Sequence, residues 1–374
     1  MTQPFATQRV VHGAEFTDRE GEVRRVLEAM EGRERLVLYG ERRMGKSSVI
    51  ARARERFEAE GGVVIGVDAW TLHGIDELNR GILRAIPGAW LVGERVQRLL
   101  HSLRSLVTLS VTDAGRPVLQ LSGSASADPD PAGALGRILR GIDELAADEA
   151  RRVVVVIDEF QRLTEVDEGV GGVLRGVVQE TGHVGYVFAG SIVGLVLDLL
   201  GPKGPFHAVD RLEVGPIDSD HMVEWMRHRF EANGVRAPGE VVRAIHERAG
   251  PVTEYVLRLA KVVYGRGVDR GEATMATVDR AFDEVVADYE GSFELIWDGL
   301  SRSKRQVVRA VAAGEQRLTS RDVLDRYDLA SSSAATYAIN QLRYDGLLAP
   351  GKPFRVSDPF FAAWVLAAAS HAEP

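Results

Sequence analysis

The octapeptide Gly40-Glu41-Arg42-Arg43-Met44-Gly45-Lys46-Ser47 constrains this chain more than any other stretch. It fits the phosphate-loop (Walker A) pattern G-x-x-x-x-G-K-[ST] at every fixed position. Leu36–Tyr39 before it reads as a short apolar strand. Ser48 to Glu60 after it reads as a helix with Val49, Ile50, Ala53 and Phe57 on one face. In such a strand–loop–helix unit, backbone N–H groups wrap a phosphate and the helix N-terminus adds positive dipole character. Gly40 through Ser48 are therefore the expected nucleotide cradle, with Lys46 reaching the β- and γ-phosphates and Ser47 ligating Mg²⁺.

Residues 1 to about 215 continue the theme. Strand candidates at Leu36–Tyr39, Val63–Val67, Val153–Ile157, Gly185–Ala189 and Arg211–Val214 alternate with helical patterns. This predicts an α/β fold with a parallel sheet and helices on both faces. A long section separates the second and third strands. Helix is expected over Ile75–Leu106 with a break at Pro87-Gly88. A hairpin follows (Val107–Val111, Pro117–Leu121, turn at Asp113-Ala114-Gly115), then an exposed loop over Ser122–Pro131. Helix resumes over Ala132–Ala147. The unusual length of residues 72–131 suggests an insertion that recognises a partner.

Val153 to Glu159 is an apolar run ending in two acids, the second half of a nucleotide site (Walker B). Many strands end in an acidic helix cap, but an upstream phosphate loop favours chemistry. Asp158 would hold Mg²⁺ through water and Glu159 would polarise the attacking water. Ser191 ends the next strand, placed to touch the γ-phosphate or to cap the following helix. Arg211 and Arg175 are candidates for the arginine that neutralises transition-state charge.

From Ile217 to about Phe293 the pattern is helical. The first helix is capped by Asp218 or Ser219, carries Met222, Trp225, Met226 and Phe230 on one face, and ends at Asn233-Gly234. Further helices are expected at Gly239–Arg248, Val252–Tyr264 and Thr277–Tyr289. From Leu300 onward, helices at Lys304–Ala313, Ser320–Tyr327 (with Ser320 as its cap) and Ser331–Asp345 precede a hairpin over Leu347–Val356. This is the outline of a winged helix-turn-helix. Three domains follow: a core over 1–215, a helical lid over 216–295 and a winged helix over 296–374.

The chain resembles the archaeal-type ATPases of the STAND/AAA+ branch of P-loop proteins, which also occur in bacteria. The resemblance rests on Phe16-Thr17-Asp18-Arg19-Glu20, the Tyr39–Ser47 loop, Ile157-Asp158-Glu159-Phe160-Gln161, Ala189-Gly190-Ser191 and Ser357-Asp358-Pro359-Phe360. It implies an ATPase core with an Asp-Glu catalytic pair, a helical lid and a winged-helix tail. It places Phe16 and Arg19 near the adenine, and Pro251 of the lid near the nucleotide. It further implies a nucleotide-driven switch with nucleic-acid or protein partners. Three positions depart from the family pattern. Asp18 stands where Gly often precedes Arg-Glu. Arg211 is displaced from the usual Gly-Arg after Ser191. The lid motif is contracted to Gly250-Pro251.

The third helix of the tail would present Ser331, Ser332, Ser333, Thr336, Tyr337, Asn340 and Arg343 to a DNA groove. Lys352 and Arg355 would stand on the wing, and Lys304 and Arg305 open the first helix. Leu300–Pro374 carries a formal net charge of +3, against −8 for the whole chain of 374 residues. That is a mild local bias toward phosphate. The expected function is an ATP-binding, Mg-dependent, ATP-hydrolysing switch acting on DNA or a protein partner, with assembly of copies possible. The alternative is an ATP-liganded DNA-binding regulator with negligible hydrolysis.

The absence of cysteine excludes disulfides, thiolate zinc sites and thiol catalysis, and suits a reducing cytoplasm. Met1–His12 carries no apolar core of signal-peptide type, and Phe360–Ala369 is too short to span a bilayer. His221 and His228 share a helix face without a ligand set around them.

Overall fold

The computed structural model describes residues 3–372, apart from 6, 8, 12, 87–106, 112–116, 122–129, 149, 167–169, 192–195, 197, 198, 202, 203, 205, 207 and 208. The chain divides into two compact units. One, the sheet unit, comprises Arg19–Gly40 and Lys46–Val214. The other, the helical unit, comprises Met1–Asp18, Glu41–Gly45 and Gly215–Pro374.

In the sheet unit the elements run α1 (Glu20–Glu31), β1 (Arg35–Tyr39), α2 (Lys46–Ala59), β2 (Val63–Asp68), α3 (Ile75–Ala85), β3 (Val107–Val111), β4 (Pro117–Leu121), α4 (Pro131–Asp148), β5 (Val153–Asp158), α5 (Gln161–Val166), α6 (Val170–Glu180), β6 (Val184–Gly190) and β7 (Asp210–Glu213). The main sheet is parallel throughout, in the order β2-β5-β6-β1-β7. β3 and β4 form a separate antiparallel pair. Parallel strands covered on both faces need continuous apolar runs. Val153–Ile157 and all of β6 are buried accordingly. Phe160, Phe188 and Phe206 meet at 5.1–5.7 Å between ring centres and close the core beside the end of β5. Burying each such ring contributes about 2–3 kcal/mol. The outer strand β7 is different: Asp210, Arg211 and Glu213 are exposed, and Arg25 bridges Asp210 and Glu34 at 2.7 Å each.

The parallel register brings the strand ends to one edge. Asp68 stands opposite Asp158, Ile157 opposite Phe188, and Tyr39 opposite Gly190. The chain order reverses at β1, with β6 on one side and β7 on the other. Ligands of open α/β sheets bind outside the carboxyl ends of strands at such a switch point.

The helical unit contains α7 (Ser219–Ala232), α8 (Gly239–Ala249), α9 (Thr253–Gly267), α10 (Met275–Asp288), α11 (Glu290–Asp298), α12 (Arg302–Ala312), α13 (Arg321–Arg326), α14 (Ser332–Tyr344) and α15 (Pro359–Ala372). Asp218 caps α7, accepting from the backbone N–H of Asp220 and His221. A capping box between Thr274 and Thr277 starts α10 two residues before the expected point. Phe5 packs against Trp225, Phe230 and Tyr264. Phe293 and Trp297 of α11 meet Phe361 and Trp364 of α15.

The helical stretch from Ile75 runs to Ala85, just short of the break expected at Pro87-Gly88; residues 87–106, the turn at Asp113-Ala114-Gly115 and most of the loop before Pro131 lie outside the described residues. Other expectations need correction. Ser320 precedes α13 without a side-chain capping bond. The wing is reduced to a single bridge between Leu348 and Val356, supported by Ala349 N–H donating to the Arg355 carbonyl. Two helices, α11 and α15, were not anticipated. α15 is so evenly apolar that it shows no helical periodicity to read. Among the described residues no helix is long and apolar enough to cross a membrane.

Candidate nucleotide site

The loop after β1 is bent by residues in unusual backbone conformations. Gly40, Arg43 and Gly45 have φ of 155°, 69° and 96°. At Gly40 the need for glycine is also spatial, since a Cβ there would lie 2.3 Å from the Val214 carbonyl oxygen. α2 begins at Lys46, so its unpaired N–H groups face the loop. Lys46 is buried, and its Nζ donates to the Gly40 carbonyl at 3.0 Å. Ser48 is also buried, while Ser47 and Arg42 are exposed. A glycine-hinged nest opening a long helix, with a buried lysine at its floor, fits a polyphosphate.

Within the sheet unit Ser47 Oγ donates to Asp158 Oδ2 at 2.7 Å. The two residues expected to ligate magnesium thus meet. Hydroxyl and carboxylate oxygens are the donor set a hard divalent cation takes. Burial lifts the Asp158 carboxyl above the ordinary aspartate range. The Ser47 bond pulls it back down, and the neighbouring Glu159 charge pushes it up. A cation there would relieve the cost of that buried charge.

Glu159 follows with φ of 51°, a left-handed conformation rare outside glycine. Its N–H donates to Asp158 Oδ1 at 2.9 Å. Its Oε2 accepts from Ser191 Oγ at 2.6 Å. The sheet unit therefore gathers Lys46, Ser47, Asp158, Glu159 and Ser191 along its carboxyl edge.

Arg211 lies on the outer strand, where its guanidinium donates to the Leu200 carbonyl. Among the described contacts of the sheet unit, none joins it to the acid pair. Arg175 is exposed on α6. Arg19 is buried at the start of α1 and pairs with Glu22 at 2.9 Å. Its φ of 68° and the 55° of Asp18 show why glycine suits this turn.

In the helical unit, the loop's Glu41 and Arg43 are both engaged. Arg355 donates to Glu41 Oε1 and Oε2 at 2.7 and 2.8 Å. Arg43 Nη1 donates to Tyr255 Oη at 3.0 Å and lies 3.9 Å from Asp358, while its Nε lies 3.7 Å from Glu254. Burial raises the Asp358 carboxyl and the Tyr255 phenol above their usual ranges. Met44 is buried. Phe16 is half-buried and its N–H donates to the Gly13 carbonyl, Thr17 bonds His221 at 2.9 Å, and Pro251 precedes α9. The Arg355–Glu41 pair was missed because 314 residues separate the partners.

The tail presents a narrower polar face than expected. Tyr337 is 68 % exposed, and Ser332, Thr336 and Asn340 are exposed beside it on α14. Arg343, expected to face a groove, instead donates to the Gly351 carbonyl and stacks on Phe354. Lys304 pairs with Asp345 at 2.6 Å, and Arg305 donates to the Trp297 carbonyl at 2.9 Å. Among the described residues, no group of three or more acids or histidines forms a metal cluster.

A phosphate-loop sequence after β1 of a parallel sheet, with Ser47 hydrogen-bonded to Asp158, places the chain among the P-loop nucleotide-binding proteins. The profile described as "ATPase domain predominantly from Archaea" matches residues 16–258, and the chain belongs to that family. A "probable winged helix domain" matches residues 291–367. No curated protein matches the chain. Among solved structures it is similar to the Walker-type ATPase PABY2304 of Pyrococcus abyssi (18% identity, 97% of this chain and 99% of that one, TM-score 0.67). It is also similar to the Aeropyrum pernix ORC2 protein in ADPNP–ADP complexes (16%, 98% and 100%, TM-score 0.60). A third similarity is to Drosophila ORC bound to DNA (13%, 95% and 88%, TM-score 0.51). At these identities the likeness is one of fold.

Proposed function

We propose that the chain is a Mg-dependent ATP hydrolase working as a molecular switch, with its nucleotide state read by the C-terminal winged helix. The observation that carries this reading is the 2.7 Å bond from Ser47 to Asp158, which joins the two halves of a phosphoryl-transfer site. Ser47 and Asp158 would hold Mg²⁺, which neutralises charge on the phosphates when bound. Lys46 shares that task. Water oxygen bonds to the γ-phosphorus as the bond to the β,γ-bridging oxygen breaks, its electron pair leaving with ADP. Glu159 takes the water's proton. ATP and ADP as ligands are supported by the ADPNP–ADP complexes of the ORC2 relative. Coupling to the winged helix is supported by Arg355, a wing residue bonded to Glu41 of the phosphate loop.

Glu159→Gln tests hydrolysis. It should keep ATP binding and slow turnover by about 10²-fold or more. Equal turnover in both proteins removes Glu159 from the chemistry.

DNA is the partner this reading favours, on the exposed face formed by Thr336, Tyr337 and Asn340 of α14 and the DNA-bound state of the Drosophila relative. The second reading, an ATP-liganded DNA regulator with negligible hydrolysis, draws on the same face. A salt titration of duplex binding with and without ATP separates the cases. No binding at low salt in either state leaves a protein as the partner.

A further inference from the structure

Gln161 opens α5 two residues beyond Glu159, and its side chain is fully buried. An amide leaves water at a cost unless hydrogen bonds replace the lost ones. Its Nε2 donates to Glu159 Oε2 at 2.5 Å and reaches Ser191 Oγ at 3.5 Å. Ser191 Oγ donates to that same Oε2 at 2.6 Å. Two donors therefore converge on one carboxylate oxygen, and neither falls on Oε1.

The surroundings hold the glutamine in place. Phe160 N–H donates to the Ala189 carbonyl at 2.9 Å, pinning the turn between Glu159 and Gln161 to the end of β6. Gly190 leaves the room the amide occupies: a Cβ there would stand 2.7 Å from Gln161 Oε1 and 2.5 Å from Val196. Phe160 packs against Phe188 and Phe206, so the backbone under Glu159 has little freedom. A carboxylate gripped on one oxygen by two donors cannot rotate about its last bond without breaking both.

We infer that Gln161 is a positioning residue for Glu159, and the inference rests on reading Glu159 as the base of ATP hydrolysis. By occupying Oε2 together with Ser191, Gln161 presents Oε1 as the oxygen that receives the water's proton. Orientation of a base at this level is worth large factors in rate and little in substrate affinity.

The test uses the full chain with Mg-ATP. Gln161→Leu removes the amide at similar volume. It should lower kcat by about tenfold or more, with KM and the Kd of a fluorescent ATP analogue changed less than about twofold. In a Glu159→Gln background the same substitution should cost less than about twofold, because its effect passes through Glu159. Gln161→Met serves if the leucine variant does not fold. Native turnover in the glutamine variants overturns the inference, as does an equal loss in both backgrounds. Turnover of the native chain no higher than that of Glu159→Gln overturns the hydrolytic reading itself, and this inference with it.

Discussion

Arg355 of the wing holds the carboxylate of Glu41, the second residue of the phosphate loop, through two hydrogen bonds of 2.7 and 2.8 Å. The Glu41 side chain is only 14 % exposed, so its charge is poorly screened. Both bonds come from one guanidinium nitrogen, and a charge-assisted pair in such a setting is stronger than a surface ion pair. Arg355→Ala should remove a neutralising partner from a carboxylate in the proposed phosphate-binding loop. ATP affinity is expected to fall by about fivefold, the equivalent of about 1 kcal/mol. Adding Glu41→Gln should restore most of it. Isothermal titration of the single and double variants checks this, and a loss that persists in the double variant would count against charge as the cause.

Asp158 makes a pH prediction. Burial raises its carboxyl above the ordinary range, so the folded chain binds that proton more tightly than the unfolded chain does. Its charge thus costs stability at neutral pH, and the cost fades as pH falls toward the unfolded value. Asp158→Asn should raise the stability of the metal-free chain at neutral pH, since it removes the buried charge. The gain over the native chain should shrink in acid. The same variant should lose Mg-dependent ATP binding. Paired thermal melts at two pH values, with and without Mg-ATP, read both effects.

Gly40→Ala should destabilise the sheet unit. The added methyl would sit 2.3 Å from the Val214 carbonyl oxygen, at a φ that alanine avoids. Overpacking of this kind costs about 1–3 kcal/mol. A denaturant midpoint equal to that of the native chain would contradict the prediction.

Tyr337→Ala should leave stability within about 0.5 kcal/mol, because the ring is largely exposed. If α14 enters a DNA groove, duplex affinity should drop while the melting temperature holds. Fluorescence anisotropy with a labelled duplex measures the first, and calorimetry the second.

The phosphate loop and the acid pair are legible because each is a local run, and β1 and α2 flank the loop as its pattern requires. The sheet order brings Ser191 beside Glu159, a contact the strand-end position alone does not specify. Gln161 stood in plain view within the Asp158–Gln161 motif, yet its contact with Glu159 depends on a left-handed turn that no pattern encodes. The basic residues of the tail were misjudged for a related reason. Composition counts Lys304, Arg305, Arg343 and Arg355 as available charge, whereas folding engages each with an acid or a carbonyl. α11 was missed because the reading ended the bundle near Phe293, in the middle of that helix.

The outer strand β7 carries a consequence for self-association. An uncovered strand edge invites a neighbouring molecule to continue the sheet, and alternating charge is one way to refuse it. With Asp210, Arg211 and Glu213 in four residues, and Arg25 leaning on Asp210, a second copy docking backbone to backbone would bring like charges into register. The β7 edge is therefore a poor seam for continuing the sheet into a second molecule.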